Sequence, residues 1–285
     1  MSENNSRSLL EVTALTDGLD HPECVTVDPS GLLWAGGESG QIYAINPQDG
    51  SYQTVGNTGG FVLGVTCDGH GRIWCCDSAR HALIVMDTKT GRLLHVIDSV
   101  EGVRLENPNF SVFDPQGRLY VTDSGHFGQH DGFLFAVQPD GTCSIVDDRC
   151  RSFPNGLALS PNGESLYIAE STRPAISELN LATQEYRVMV ELPGMVPDGL
   201  AVDQRGTIYV GCYRPDAILR IRDQNVQLWL QDPQGVILSA PTNLCFGGPN
   251  RSILYIASLG RWHIGSIQMD TPGVELIYPS NGTIV

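Results

Sequence analysis

Short apolar stretches, each followed by a turn, recur along almost the whole chain. A unit begins with one variable residue, continues through about five mainly apolar positions, turns at a sequence such as Asp/Ser-x-x-Gly, and ends in an apolar run that contains an aromatic residue. The six copies begin at Glu23, Leu63, Asn109, Asn155, Asp198 and Thr242. Their starts lie 40 to 46 residues apart, a period typical of propellers and solenoids.

The apolar runs are too short for helices and are rich in Val, Ile, Tyr and Trp, so they indicate strands. A third strand follows each pair, as in QIYAIN, and usually a fourth, as in YQTV. Four strands repeated six times predict an all-β fold, a six-bladed β-propeller with four antiparallel strands per blade, because radial closure leaves only short, protected sheet edges.

We expect one propeller domain over residues 1–285, with residues 1–18 as an N-terminal extension. A closing strand is needed to seal the ring. Either LLEVTALT near the N-terminus or GVELIYP near the C-terminus could supply it, and the sequence leaves both open.

Composition narrows the class of partner. Apolar residues make up 41% and charged residues 17%, with 32 glycines and 17 prolines, as expected for a globular protein with many turns. The net charge is −15 and no basic cluster occurs, so neither nucleic acid nor an anionic membrane is an expected partner. The polar N-terminus lacks the apolar region of a signal peptide, which favours a cytoplasmic protein. We expect a monomer or a weak homo-oligomer.

The eight cysteines show no spacing typical of metal ligands, and most fall in apolar runs, where thiols are usually buried. Cys143 and Cys150 are close enough in sequence for a disulfide to be considered. A reducing compartment disfavours that bond.

The first residue of each unit occupies an equivalent position in every blade, so these six residues form a ring around the propeller axis. Five of the six carry a side-chain oxygen, and Glu23 and Asp198 are carboxylates. Two carboxylates buried together are costly without a compensating cation, and the ring contains no Lys or Arg. The pattern predicts a divalent metal site in the central channel. All-oxygen donors favour calcium, with magnesium or manganese as alternatives and zinc less suited.

A plainer interpretation of these residues stays open. Asn and Asp at strand ends often cap turns, and an Asn-Gly or Asp-Gly pair is itself a turn signal.

The loops between the second and third strands of each blade lie on the same face as the ring, so they should surround the site. They contribute His81, His126, His130, Arg173, Arg214, Arg261, Trp262 and His263. We expect a polar, partly cationic rim.

Five segments together carry a resemblance to a known family. They are HPE at 21–23, PNFSVFDPQGRLYVTD at 108–123, FPNGLALSPNG at 153–163, PDGLAVDQRG at 197–206 and PTNLCFGG at 241–248. On these motifs the chain resembles the senescence marker protein, regucalcin and gluconolactonase family from about Leu19 to Tyr278.

The resemblance implies that Glu23, Asn155 and Asp198 hold a divalent ion and that Asn109 contacts substrate or a metal-bound water. The family arginine two residues before that asparagine is replaced by Asn107, which leaves specificity for sugar lactones open. Arg104 or a loop arginine could substitute for it. Asp123 and His126 complete the expected substrate-binding residues.

The expected activity is hydrolysis of a small lactone or ester, with the ion polarising the carbonyl and Asp198 as general base. The amides of Asn109 and Asn155 would position substrate or stabilise an oxyanion. No Gly-x-Ser-x-Gly motif supports a serine nucleophile. Two alternatives remain, a phosphotriesterase similar to diisopropyl fluorophosphatase and a non-enzymatic calcium-binding propeller.

Overall fold

The computed structural model describes residues 6–280, which form six four-stranded antiparallel sheets. The sheets are the blades of a propeller, so the predicted fold is confirmed. Within residues 6–280 the helical segments are three short 3-10 turns, at Leu9–Glu11, Pro249–Arg251 and Leu259–Arg261. None of the helices in this range is long and apolar enough to span a membrane.

In blades 1 to 5, four consecutive strands follow one another from the axis outward. The strands before and within blades 1 to 3 are β1 (Thr13–Asp17), β2 (Thr26–Val27), β3 (Leu33–Gly36), β4 (Gln41–Ile45), β5 (Tyr52–Asn57), β6 (Val62–Cys67), β7 (Arg72–Asp77), β8 (Ala82–Asp87), β9 (Leu93–Ile97), the hairpin β10 (Ser99–Val100) and β11 (Val103–Arg104), β12 (Pro108–Phe113), β13 (Leu119–Asp123), β14 (Phe133–Val137) and β15 (Cys143–Asp147). Those of blades 4 to 6 are β16 (Pro154–Leu159), β17 (Ser165–Glu170), β18 (Ala175–Asn180), β19 (Tyr186–Glu191), β20 (Val196–Val202), β21 (Ile208–Arg214), β22 (Ala217–Arg222), β23 (Asn225–Gln231), β24 (Pro241–Gly247), β25 (Ile253–Ser258) and β26 (His263–Gln268).

The N-terminal segment closes the ring. Strand β1 pairs antiparallel with β26, with Thr13 opposite Ser266 and Asp17 opposite His263. Blade 6 therefore takes three strands from the C-terminal part of the chain and its outermost strand from the N-terminal part. Of the two candidate segments, LLEVTALT supplies all of this strand except its last residue, Asp17.

The other segment, GVELIYP, crosses the end of the central channel opposite the ring residues. Val274 N donates to Val202 O at 3.0 Å in blade 5, and Gly69 N in blade 2 donates to Pro279 O at 2.9 Å. The Tyr278 hydroxyl donates to Val27 O at 2.7 Å in blade 1. Between this segment and the inner strands lies an apolar cavity of about 90 Å³.

The aspartates of the repeated turns have a structural reason to recur. Asp28 Oδ2 accepts a hydrogen bond from Trp34 Nε1 at 2.9 Å, and Asp68 Oδ2 accepts one from Trp74 Nε1 at 3.1 Å. Each carboxylate thus joins its turn to an aromatic residue in the core. All eight cysteines are free thiols, Cys143 and Cys150 included.

Candidate metal centre and active site

The ring residues lie at the channel end of the innermost strands. Asn109 and Asn155 are the second residues of β12 and β16, Asp198 is the third residue of β20, and Glu23 precedes β2. In blades 3 to 5 the strand pairing shifts register at these positions, for example between Pro154 and Leu157. Such an irregularity turns side chains away from the regular pleat, here toward the channel.

Neighbouring inner strands approach to backbone contact beside the ring. A Cβ on Gly156 would lie 2.5 Å from Asp198 O, and one on Gly199 would lie 2.6 Å from Thr242 O. These glycines are therefore needed for the close approach of two blades. The Asn-Gly and Asp-Gly pairs lie inside β16 and β20, so the turn-capping interpretation does not apply to them.

The pKa values of both ring carboxylates are raised. Burial raises the pKa of Glu23 to about 7, and the charge of Glu38 adds to the shift, while Thr242 and His21 oppose it. Burial and the negative charge of Glu23 raise the pKa of Asp198 well above its usual range, while a hydrogen bond with the Asn155 amide opposes the shift. Both groups therefore bear an electrostatic strain that a nearby cation would relieve.

The donor set fits a divalent cation. Glu23 Oε2 is buried and has no hydrogen-bond partner among residues 6–280. Within the same range, no ion pair with Lys or Arg includes Glu23 or Asp198. An orphaned carboxylate oxygen beside a second carboxylate is the environment that a hard, oxygen-seeking ion would satisfy.

Two buried amides stand beside the carboxylates. Asn109 and Asn155 are 6% and 7% exposed. Asn109 Nδ2 donates to Ser124 Oγ at 3.0 Å and Asn155 Nδ2 donates to Ser171 Oγ at 3.3 Å. Each amide nitrogen is therefore directed at the serine that follows the second strand of its own blade.

The expected substrate-binding residues of blade 3 have different environments. Asn107 Oδ1 is buried without a hydrogen-bond partner in the described part of the chain. Asp123 is buried, and its carboxylate accepts hydrogen bonds from Glu106 N at 2.8 Å and Asn107 N at 3.0 Å. Asp123 thus holds the loop that carries Asn107, whereas Arg104 is exposed in the β10–β11 hairpin.

His126 lies exposed on the rim between two acids. Its Nδ1 is 2.8 Å from Asp131 Oδ2, and its Nε2 is 3.1 Å from Glu106 Oε1. The hydrogen bond to Asp131 raises the pKa of His126.

A second carboxylate–imidazole group lies next to Glu23. His21 Nδ1 is 2.9 Å from Asp20 Oδ1 and 2.7 Å from Glu38 Oε2, and the Trp262 ring packs against the imidazole at 4.7 Å between centroids. Neither Asp20 nor Glu38 is among the residues predicted from the sequence. The position of Asp20 beside the HPE motif was the available signal, whereas Glu38 comes from a separate loop.

The arginines of the expected cationic rim already bind other groups of the protein. Arg173 pairs with Glu191 at 3.1 Å, Arg214 pairs with Asp216, and Arg261 Nε donates to Gly235 O at 2.5 Å. His263 is buried, so it does not belong to the rim.

Comparison with known proteins places the chain in a family. The family model for the SMP-30/Gluconolactonase/LRE-like region matches residues 21–260. A pentonolactonase of Haloferax volcanii is 27% identical over 82% of this chain and 79% of its own length. A gluconolactonase of Zymomonas mobilis is 27% identical over 66% of this chain, but the match spans 58% of that protein.

Solved structures show the same fold. A gluconolactonase of Xanthomonas campestris aligns with a TM-score of 0.77 at 18% identity, over 92% of this chain and 89% of its own. A calcium-binding protein of Agrobacterium tumefaciens, a regucalcin, aligns with a TM-score of 0.73 at 16% identity, over 93% and 96% of the two chains. With the match over residues 21–260, these findings identify the chain as a member of the SMP-30/gluconolactonase/LRE-like family.

Proposed function

We propose that this protein is a metal-dependent lactonase whose active site is the ring at the mouth of the central channel. The observation that carries the proposal is the pair of ring carboxylates with raised pKa values, Glu23 and Asp198, together with a buried Glu23 oxygen that has no hydrogen-bond partner among the described residues. The relatives described as a gluconolactonase and a pentonolactonase support the choice of a lactone as substrate. The relative described as calcium-binding supports calcium as the first ion to test.

Glu23, Asn155 and Asp198 would hold the ion, with Asn109 beside them. When bound, a divalent ion supplies Lewis-acid polarisation of the ester carbonyl. Asp198 would serve as general base, because the carboxylate of an ion ligand lies next to the attacking water.

The reaction is the addition of water to a cyclic ester. Asp198 takes a proton from water as the water oxygen bonds to the carbonyl carbon. The bond from that carbon to the ring oxygen then breaks, and the proton passes from Asp198 to the leaving oxygen. The product is an open-chain hydroxy acid. The unpartnered Asn107 Oδ1 is an acceptor for a hydroxyl group of the substrate.

The test is Asp198→Asn, which keeps the shape of the side chain and removes the base. We expect the kcat/KM for aldonolactones to fall by about 100-fold or more, the range contributed by a positioned base. Hydrolysis is followed by acid release, with calcium, magnesium, manganese or zinc added to metal-stripped protein. Ion content is measured by mass spectrometry in parallel.

The matched control is Asp203→Asn, near the other end of the same blade. Asp203 Oδ1 accepts hydrogen bonds from Arg205 N and Thr207 N at 2.9 Å, and an asparagine oxygen can accept both. Activity should persist in this control. Wild-type rates in Asp198→Asn would contradict the assigned base. Hydrolysis of organophosphate triesters but of no lactone would favour the phosphotriesterase, and ion binding with neither activity would favour a binding protein.

A further inference from the structure

Two serines occupy the same position in adjacent blades, immediately after the second strand. Ser124 follows β13 and Ser171 follows β17. Each hydroxyl accepts a hydrogen bond from the ring asparagine of its own blade, Asn109 or Asn155. Each also donates to the carbonyl of the proline that precedes the next ring residue, Ser124 to Pro154 O and Ser171 to Pro197 O, both at 2.7 Å.

This arrangement determines which way round each amide lies. A hydroxyl has one hydrogen, and a carbonyl oxygen can only accept, so the hydrogen of each serine is committed to the proline carbonyl. The serine oxygen must then accept from the asparagine. The amide atom that faces it is therefore the nitrogen, and the amide oxygen is directed away from the serine.

The amide oxygens are left without protein donors. Among residues 6–280, no hydrogen bond is donated to Oδ1 of Asn109 or Asn155. Neither oxygen is completely buried, so both are accessible to a ligand. Each amide thus has its nitrogen fixed by neighbours and its oxygen available to a ligand in the channel.

The equivalent positions in two other blades follow the same chemistry. In blade 5 the ring residue is Asp198, whose two oxygens are equivalent and need no orientation, and Tyr213 stands at the serine position. In blade 2 the ring residue is Leu63, and the hydroxyl of Ser78 makes no hydrogen bond to the described residues. The bridge is formed in the two blades that present an amide.

We propose that Ser124 and Ser171 are positioning residues that hold the amide oxygens of Asn109 and Asn155 toward the ion. The inference rests on the ion site of the proposed function and deepens it. An amide that rotates by half a turn presents its NH₂ group to a cation, which weakens binding. Loss of a partner that orients a ligand typically costs 10- to 100-fold in metal affinity.

The first experiment measures calcium affinity by isothermal titration calorimetry on metal-stripped protein, with manganese as a second probe. Ser171→Ala should raise the Kd by about 10-fold or more. Ser124→Ala should raise it by less, because Asn109 lies beside the three ligands rather than among them. Ser171→Thr keeps a hydroxyl and should restore most of the affinity. Ser78→Ala removes the corresponding hydroxyl where there is no amide, and its Kd should equal that of the wild type.

The second experiment separates orientation from a general effect on the fold. In Asn155→Asp the two side-chain oxygens are equivalent, so the serine has nothing left to orient. Ser171→Ala should then leave the calcium Kd unchanged when it is added to Asn155→Asp. Thermal unfolding of every variant reports any loss of stability separately from the Kd.

The outcomes distinguish the two proposals. Unchanged calcium affinity in both serine variants, or an equal loss with Asn and with Asp at position 155, would overturn the orienting role while leaving the ion site in place. A wild-type protein that binds none of the ions would overturn the ion site itself, and the serine inference with it.

Discussion

At the residue scale, contacts between neighbouring blades hold the residues of the proposed ion site in place. Alignment of the six copies singled out Asn155 and Asp198 because equivalent positions must share a ring. The roles of Gly156 and Ser171 could not be predicted, because each depends on the backbone of the next blade. Sequence spacing predicts which residues meet, whereas hydrogen bonds across blades decide how they are oriented.

The close approach of two blades makes Gly156 sensitive to substitution. In Gly156→Ala the new methyl group would lie 2.5 Å from Asp198 O, so the inner strands must separate. We expect a loss of about 1–3 kcal/mol in the free energy of unfolding, the usual cost of overpacking, together with weaker calcium binding. Urea denaturation and calorimetry measure the two effects.

The control is Gly265→Ala in β26, where the nearest atom, Val12 Cγ1, would be 3.4 Å from the new methyl group. This variant should keep wild-type calcium affinity. If Gly156→Ala were as stable as Gly265→Ala and bound calcium equally well, the close contact at the ring would have no energetic consequence.

At the element scale, the repeat predicts every blade, yet the closing strand had to come from the structure. LLEVTALT and GVELIYP are both short apolar segments with strand-forming residues, so local pattern cannot separate them. What decides is the tertiary partner, because β26 offers its free edge to β1. An unpaired edge at this place would leave the backbone groups of β26 without partners.

Removal of residues 1–17 should therefore weaken the whole ring. We expect a clearly lower Tm and a tendency to aggregate, because β26 becomes an exposed edge and Val12 no longer packs in the core of blades 5 and 6. Differential scanning calorimetry and light scattering test this. Removal of residues 1–5 keeps β1 and serves as control. A truncated protein with the Tm of this control would show that closure by β1 contributes little.

At the scale of the whole molecule, the C-terminal segment joins parts of the propeller that are distant in sequence. Val274, Leu276, Ile277 and Tyr278 pack against four different hydrophobic clusters, which belong to different blades. The segment therefore fastens the ring at the end opposite the proposed ion site.

Tyr278 provides the test of this fastening. Tyr278→Ala should lower the free energy of unfolding by about 3 kcal/mol through lost packing. Tyr278→Phe, which loses the hydrogen bond to Val27 O, should lower it by about 1 kcal/mol. Calcium affinity should stay at the wild-type value in both variants. Equal stability of the alanine variant and the wild type in urea would contradict a fastening role.

The C-terminal segment also determines how substrate and product reach and leave the channel. Because this segment lies across one end of the channel, the channel is closed at that end and open only at the other. In the proposed hydrolase, the lactone enters and the hydroxy acid leaves through the same opening. Product that is still in this opening competes with incoming substrate. The loops of the opposite face alone control access to the site. Evolution of new specificity in this protein is thereby confined to one face of the disc.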